Sequence, residues 1–368
     1  MMKILHLIIP LYILFSLVPA AHAGQKKLKI FVVSSYHKEY LWEQEANEGF
    51  CAGMLDFKFL DSREQADEYT LNDQVETDKI IIKKSWLDSK RKSSRSEIEK
   101  SALAILSRIN AFGPDLIVLG DDNASNFVGS QYIDSAIPVV FRGIVGTPVK
   151  YGLADSIEHP GHNVTGVLKL GYPKETIKYF LKLVPSARTF AILADGSETS
   201  RAKVKEIIQF EETGKSPLKL VETVMTNSYT DWQNAALRLQ GKVDAFFIIN
   251  HNTIKGDDGR TLDPFKVIAW YLQNIKKPEM TWEKQFVQEG LLMTVDDSAF
   301  KQGYEVVRMA DMVIHQKKNP EGIPCILPSR GKIMVNRQRA KMLGFDLSGK
   351  EFIEEYEDKS LALEKYPQ

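Results

Sequence analysis

Arg142 stands directly behind the apolar run 137–141, which contains Pro138 and gives way to Gly143. Such a run has the look of a buried parallel strand ending in a turn. A guanidinium at a strand end can hold a carboxylate or phosphate through two parallel hydrogen bonds. Two aromatic residues, Tyr36 and Trp42, follow the apolar run 27–33. Their rings could stack on a ligand or cap the core. Asp122 and Asn123, behind the run 115–120, could contact a ligand or cap the next helix through their side-chain oxygens. Asn250 and His251 follow the very apolar run 244–249 and offer polar groups for a ligand or simply for a turn. Ser35, Asp195 and Asp296 occupy equivalent places and complete the candidate binding set. Asp88, Lys90 and Arg91 read either as ligand contacts or as a solvated ion-pair cluster.

Catalysis finds little support. The chain has no Gly-rich phosphate loop, nucleophile elbow or paired-carboxylate motif. Only His37 and His251, each near acidic residues, could supply acid–base chemistry, so no catalytic residue is assigned and an enzyme is the minor reading. His159 and His162 lie three apart in a turn with no third ligand nearby, which is a poor zinc site. Gly256-Asp257-Asp258-Gly259 lacks the alternating acids and distant glutamate of a calcium loop. No metal or cofactor is expected.

The elements that must position these residues alternate. Strand-like runs at 27–33, 79–86 and 115–120 are separated by helical patterns at 43–55 and 96–112. The alternation restarts with helices at 174–183, 201–212, 231–239, 264–275 and 301–317 and strands at 190–194, 218–223, 244–250 and 291–295. This is the pattern of two α/β lobes built on parallel sheets, joined near residues 143–166. Ligands bind beyond the carboxyl ends of strands in such sheets. The loops 34–40, 87–91, 121–126 and 142–143 of one lobe should therefore face 195–200, 250–252 and 296–297 of the other.

A chain of 368 residues is long enough for two domains. Its 48 basic and 48 acidic residues balance, which gives no support to a nucleic-acid partner. Cys51 and Cys325 do not form a metal motif and read as isolated thiols, although the expected compartment would permit a bridge. At the start, Lys3, the apolar stretch 5–18 and Ala21-His22-Ala23 read as a cleaved secretory signal peptide, with the mature chain beginning at Gly24. No cysteine follows the cleavage point to carry a lipid anchor. A periplasmic location is expected, and no later segment looks long and apolar enough to span a bilayer.

Residues 137–167, IPVVFRGIVGTPVKYGLADSIEHPGHNVTGV, resemble the hinge segment of extracytoplasmic solute-binding proteins that serve ABC importers or two-component sensors. The run from Ser35 to Trp42 resembles the SYHPGYPW opening of the sensor-associated branch. Residues 87–91 are similar to its MDTKR element, and 114–124 to its PDLIIASDDNA. Together the similar segments run from about residue 29 to 347, most weakly in the second lobe. Lys38-Glu39 replaces the usual Pro-Gly, and Arg142 sits where a small residue is usual. The resemblance implies a type I periplasmic-binding-protein fold with two Rossmann-like lobes and hinge crossovers. Lobe one would hold 24–145 and 298–319, and lobe two 146–297 and 320–368. It implies a third crossing after residue 323, a monomer, and capture of an amino-acid-like or aromatic carboxylate. The partner would be a membrane ABC permease or, alternatively, a sensor histidine kinase.

Overall fold

In the computed structural model, which describes residues 26–367, the first apolar run forms β1 (Leu28–Ser34). The signal-peptide reading of residues 1–23 lies outside the described residues. Helix α1 (Leu41–Asp56) follows β1, then α2 (Arg63–Asn72), β2 (Gln74–Glu76) and β3 (Ile80–Trp86). Ser94 starts α3 (Arg95–Phe112) with a capping box to Glu97, and Gly113 stops it in the left-handed region. Its buried residues Ile98, Ala102, Ile105 and Ile109 recur every three or four positions, which seats one face on the sheet. Then come β4 (Leu116–Gly120), α4 (Asp121–Phe127), β5 (Val139–Val145) and β6 (Val164–Lys169). These strands form one sheet in the order β2-β3-β1-β4-β5-β6, parallel except where β2 runs against β3.

The second sheet begins after α5 (Pro173–Leu183). It takes in β7 (Thr189–Ala194), β8 (Lys219–Met225) and β9 (Ala245–Ile248), with α6 (Glu198–Glu212), α7 (Tyr229–Leu239) and α8 (Pro264–Asn274) between and after them. Short elements follow: β10 (Glu279–Thr281), α9 (Lys284–Glu289) and β11 (Met293–Val295). The chain leaves this sheet for α10 (Ala299–Ile314). It returns with β12 (Ile333–Asn336), α11 (Arg337–Met342), β13 (Glu355–Glu357) and α12 (Leu361–Lys365). The sheet order is β13-β12-β11-β10-β9-β7-β8, parallel except for β11 against β12. Both faces of each sheet carry buried apolar clusters, as βα crossovers require.

The lobe boundary expected at residue 145 does not coincide with the sheet boundary. β6 pairs with β5 along its whole length, so the first sheet extends to Lys169. Three connections then join the sheets: the segment after β6, the segment from Asp296 to Ser298 before α10, and the return past Ile326, which bridges to Val167. Cys51 and Cys325 are both free thiols.

Helix α10 is held against α1 at a very close crossing. A Cβ placed on Gly303 would stand 2.0 Å from the Ala46 carbonyl oxygen, and one on Gly49 would stand 1.9 Å from that of Phe300. Both obstacles are backbone and cannot rotate away. Gly303→Ala is therefore expected to cost about 1–3 kcal/mol through overpacking, despite alanine's better helix propensity. Gly322→Ala meets open space and should leave the melting temperature where it is. Equal melting of the two variants would refute this account of the crossing.

Candidate ligand-binding site

The strand ends of both sheets face each other. Ser35 Oγ donates to the Gly120 carbonyl at 2.6 Å and accepts from the Ala124 N–H at 2.8 Å, while its own carbonyl accepts from Ser89 Oγ at 2.7 Å. Ser35 thus ties the ends of β1, β3 and β4 together. Three non-glycine residues in these loops hold positive φ: Asp88 at 58°, Asp121 at 67° and Ser298 at 52°. Backbone held in that region costs energy and concentrates at functional sites.

Across the gap, α1 meets the second lobe directly. The Trp42 N–H donates to Gln285 Oε1 at 3.0 Å, and the Tyr40 hydroxyl accepts from Gln285 Nε2 at 2.8 Å and Asn252 Nδ2 at 3.2 Å. Below this contact lies a buried charge network. Arg142 Nη2 donates to Glu43 Oε1 at 2.6 Å and its Nη1 to Asp121 Oδ2 at 3.1 Å; Trp42 Nε1 donates to Asp121 Oδ1 at 3.1 Å. Lys84 also reaches Glu43, at 3.2 Å. Burial pushes the Glu43 carboxyl up, but Arg142 and Lys84 outweigh it and hold it below its ordinary value. Asp121 rises to about 6 because burial outweighs the pull of Arg142.

A second network lies at the hinge. Glu283 binds Lys169 at 2.7 Å and also Lys203, and Lys169 sits over the Trp42 ring, 3.1 Å from its centroid. Beside them Asp296 accepts the N–H groups of Lys284 and Ser298, each at 2.9 Å.

Two concavities lie between the lobes, and Lys90 lines both. One, of about 480 Å³, is lined from lobe one by Ser89, Lys90 and Asn123 and from lobe two by Ser197, Asn227 and Thr253. The other, of about 360 Å³, lies between His37, Tyr40, Lys90 and Arg91 on one side and Asn252, Leu262 and Phe265 on the other. Ligand pockets of proteins fall in this size range and favour the crevice between domains.

The sequence matches the model of the family described as ABC transporter substrate binding protein over residues 77–355. The chain belongs to that family. A curated member-like relative, the tyrosine-binding protein of Clostridioides difficile (strain R20291), is 24% identical over 207 residues. That stretch is 56% of this chain, and the chain spans only 57% of the relative's length. Among solved structures, the ABC domain in complex with L-Trp from Streptococcus pneumonia superposes with a TM-score of 0.68 at 20% identity. A conserved domain protein from Vibrio cholerae gives 0.70 at 17%, and the ligand-free, open form of the substrate binding protein CD0873 from Clostridium difficile gives 0.65 at 20%. Each covers 90% of this chain and is itself covered over 100% of its length. These likenesses establish the type I periplasmic-binding-protein fold. Among the described residues no helix is long and apolar enough to cross a membrane.

Within this substrate binding protein, the residues picked out from the sequence lie around the cleft, and most already hold hydrogen-bond or ion-pair partners inside the protein. Asn123 lines the larger concavity and donates to Ser89 Oγ at 2.9 Å. Ser35 is engaged as described, and Tyr36 packs edge-on to Tyr40 with ring centroids 4.9 Å apart. Asp122 is held by Lys150 and the Tyr151 hydroxyl, both at 2.9 Å. Asp195 accepts from the hydroxyls of Ser197 and Ser200 and from the Thr253 N–H, and Asn250 Nδ2 donates to Ser200 Oγ at 3.2 Å. His251 is fully buried, with Nε2 2.7 Å from Glu289. Asp296 holds backbone. Arg142, read from its position as a grip for a ligand carboxylate, has both terminal nitrogens on Glu43 and Asp121.

Strand alternation explains that placement: Arg142 falls on the same face of β5 as Val140, which packs with Phe50 and Met54 of α1. Gly143, with a φ of 79°, shifts the β5 register between Arg142 and Ile144. The bulge thus moves Ile144 off the Arg142 face and into the apolar cluster that holds Val139 and Phe141. The trio Asp88, Lys90 and Arg91 divides as well. Asp88 and Arg91 pair at 2.8 Å near solvent, but Lys90 is 4% exposed. Asn227 and Thr253 also line the larger concavity, and in sequence only their place in the loops after β8 and β9 sets them apart from other turn residues.

Proposed function

We propose that this protein captures a small solute carrying an amino-acid-like or other carboxylate group between its two lobes. It does so outside the cytoplasm and hands the solute to a membrane ABC permease. The cavity of about 480 Å³ carries this reading, because hydrogen-bonding groups from the strand ends of both sheets converge on it. The tyrosine-binding relative and the structural neighbour bound to L-Trp support an amino-acid-like ligand. A cleft that binds with both lobes is stabilised by closing, which is the common mechanism of this fold.

The test is a thermal melt of protein unfolded and refolded to strip any carried ligand. A solute present at a hundred times its dissociation constant should add about 2.7 kcal/mol, a shift of several degrees. Uptake of the same labelled solute should fall when the gene is deleted. A panel of amino acids, organic acids, nucleosides and sugars that produces no shift would sink the capture reading. Binding without any loss of uptake would sink the delivery step alone.

A further inference from the structure

We infer that the larger concavity of the cleft selects a small, highly polar anion bearing a carboxylate or phosphate group, with Lys90 as the side chain that binds it. This rests on the proposal that the cleft captures a solute, and it narrows the ligand away from the aromatic amino acids named for the relatives.

Lys90 is the key observation. It lines both cleft concavities and is 4% exposed, yet among the described residues its ammonium has no hydrogen-bond or ion-pair partner. Its nearest company is aromatic: Nζ lies 4.9 Å from the Tyr36 ring centroid and 5.7 Å from that of Tyr40. Aromatic faces tolerate a cation but do not replace an anion. Asp195, the acid whose charge acts most on Lys90, is already occupied by Ser197, Ser200 and the Thr253 N–H. An ammonium so placed is costly to the fold and is suited to an incoming anion.

The rest of the larger concavity has the same character. Its charged lining is Lys90, Arg95 and Arg201 against Glu198 alone. Two long helices, α3 and α6, begin at its wall, with first-turn residues Arg95 and Glu198 in the lining. Both therefore direct their positive ends toward it. Apolar lining is limited to Ile98 and Phe127, and Phe127 is covered by the Arg95 guanidinium at 5.8 Å. An indole or phenol ring would find little apolar surface there. The Trp42 ring, which could have offered some, is 1% exposed and capped by Lys169.

The experiment compares wild type with Lys90→Met, both refolded free of ligand, by calorimetric titration with citrate, L-glutamate, inorganic phosphate, L-tyrosine and L-tryptophan. At least one of the three anions should bind wild type ten times more tightly than either aromatic amino acid. Lys90→Met should weaken that anion by a hundredfold or more. Citrate or glutamate against phosphate distinguishes the two sources of negative charge. The ligand-free variant should melt no lower than wild type, since it loses a desolvated charge that has no hydrogen-bond or ion-pair partner among the described residues; a clear drop would mean that Lys90 serves the scaffold and would overturn the assignment. Tight binding of tyrosine or tryptophan, unchanged in Lys90→Met, would overturn the anion inference and leave solute capture standing. No binding of any probe at millimolar concentration would overturn both.

Discussion

Arg142→Ala is expected to destabilise the folded protein by about 3–5 kcal/mol, the cost of removing one partner from a buried ion pair. The side chains of Glu43 and Asp121 are each 1% exposed, and Arg142 binds both. Without it, among the described residues, Glu43 keeps Lys84 and the Ser34 hydroxyl, and Asp121 keeps only the Trp42 indole N–H. Desolvation then falls on Glu43, left with Lys84, and on Asp121, left without an ion-pair partner among the described residues. Arg142→Lys should be intermediate, because an ammonium cannot span both acids as the forked guanidinium does. Urea denaturation of the three proteins would show it. A ligand-gripping role for Arg142 requires the opposite outcome, a loss of affinity at an unchanged denaturation midpoint.

That contrast shows which features were legible in the sequence. The βα alternation could be read because each element is specified locally: apolar runs for β1, β4 and β9, and a capped amphipathic pattern for α3. The strand ends followed from it, and loops 34–40, 87–91 and 121–126 do face 195–200 and 250–252, whereas Arg142 turns to acids of its own lobe. Side-chain direction was not legible. Arg142 and Glu43 are 99 residues apart, and nothing near Arg142 in sequence shows that the acids Glu43 and Asp121 wait on the face it takes. Lys90 stands between Asp88 and Arg91, both near solvent, and nothing local marks it as buried. β6 and β10 were missed for a related reason. Val164–Lys169 includes Thr165, Gly166 and Lys169, and Glu279–Thr281 begins on an acid. Both are strands because tertiary partners complete them: Ile326 beside β6, and Arg339 paired with Glu279 at 2.8 Å.

Glu283→Gln is expected to cost about 3–5 kcal/mol near neutral pH for the same kind of reason, with the signs reversed. Glu283 is the shared counter-ion of Lys169 and Lys203, which are themselves fully or almost fully buried. Asp297 lies 3.7 Å from Lys169 and offers the only other negative charge there among the described ion pairs. Burial raises the Asp297 carboxyl well above its ordinary value against the pull of Lys169, and Glu283 adds to the rise. Removing the Glu283 charge should let Asp297 ionise more readily and recover part of the loss. Adding Lys203→Met to Glu283→Gln should recover more, since it deletes an ammonium that has lost its partner.

The pH profile gives an independent reading of the same site. Burial raises the Glu283 carboxyl, but Lys169 and Lys203 outweigh it and bring its pKa from 4.5 to about 2. Its contribution is therefore present above about pH 4.5 and lost as pH falls through about 2. Asp296 behaves oppositely. Burial, reinforced by Glu45, lifts it from 3.8 to about 7, so its contribution is complete below 3.8 and lost as pH rises through about 7. Wild type should accordingly be most stable between these windows, near pH 4–5, and weaken on both sides. Glu283→Gln should flatten the acid limb and, because the Glu283 charge helps to raise Asp296, make the decline toward pH 7 shallower without removing it. Melting temperatures from pH 2 to 8 measure both limbs. An acid limb of equal depth in the two proteins would show that Glu283 is not the group that titrates there, and would remove the hinge network as the source of acid sensitivity.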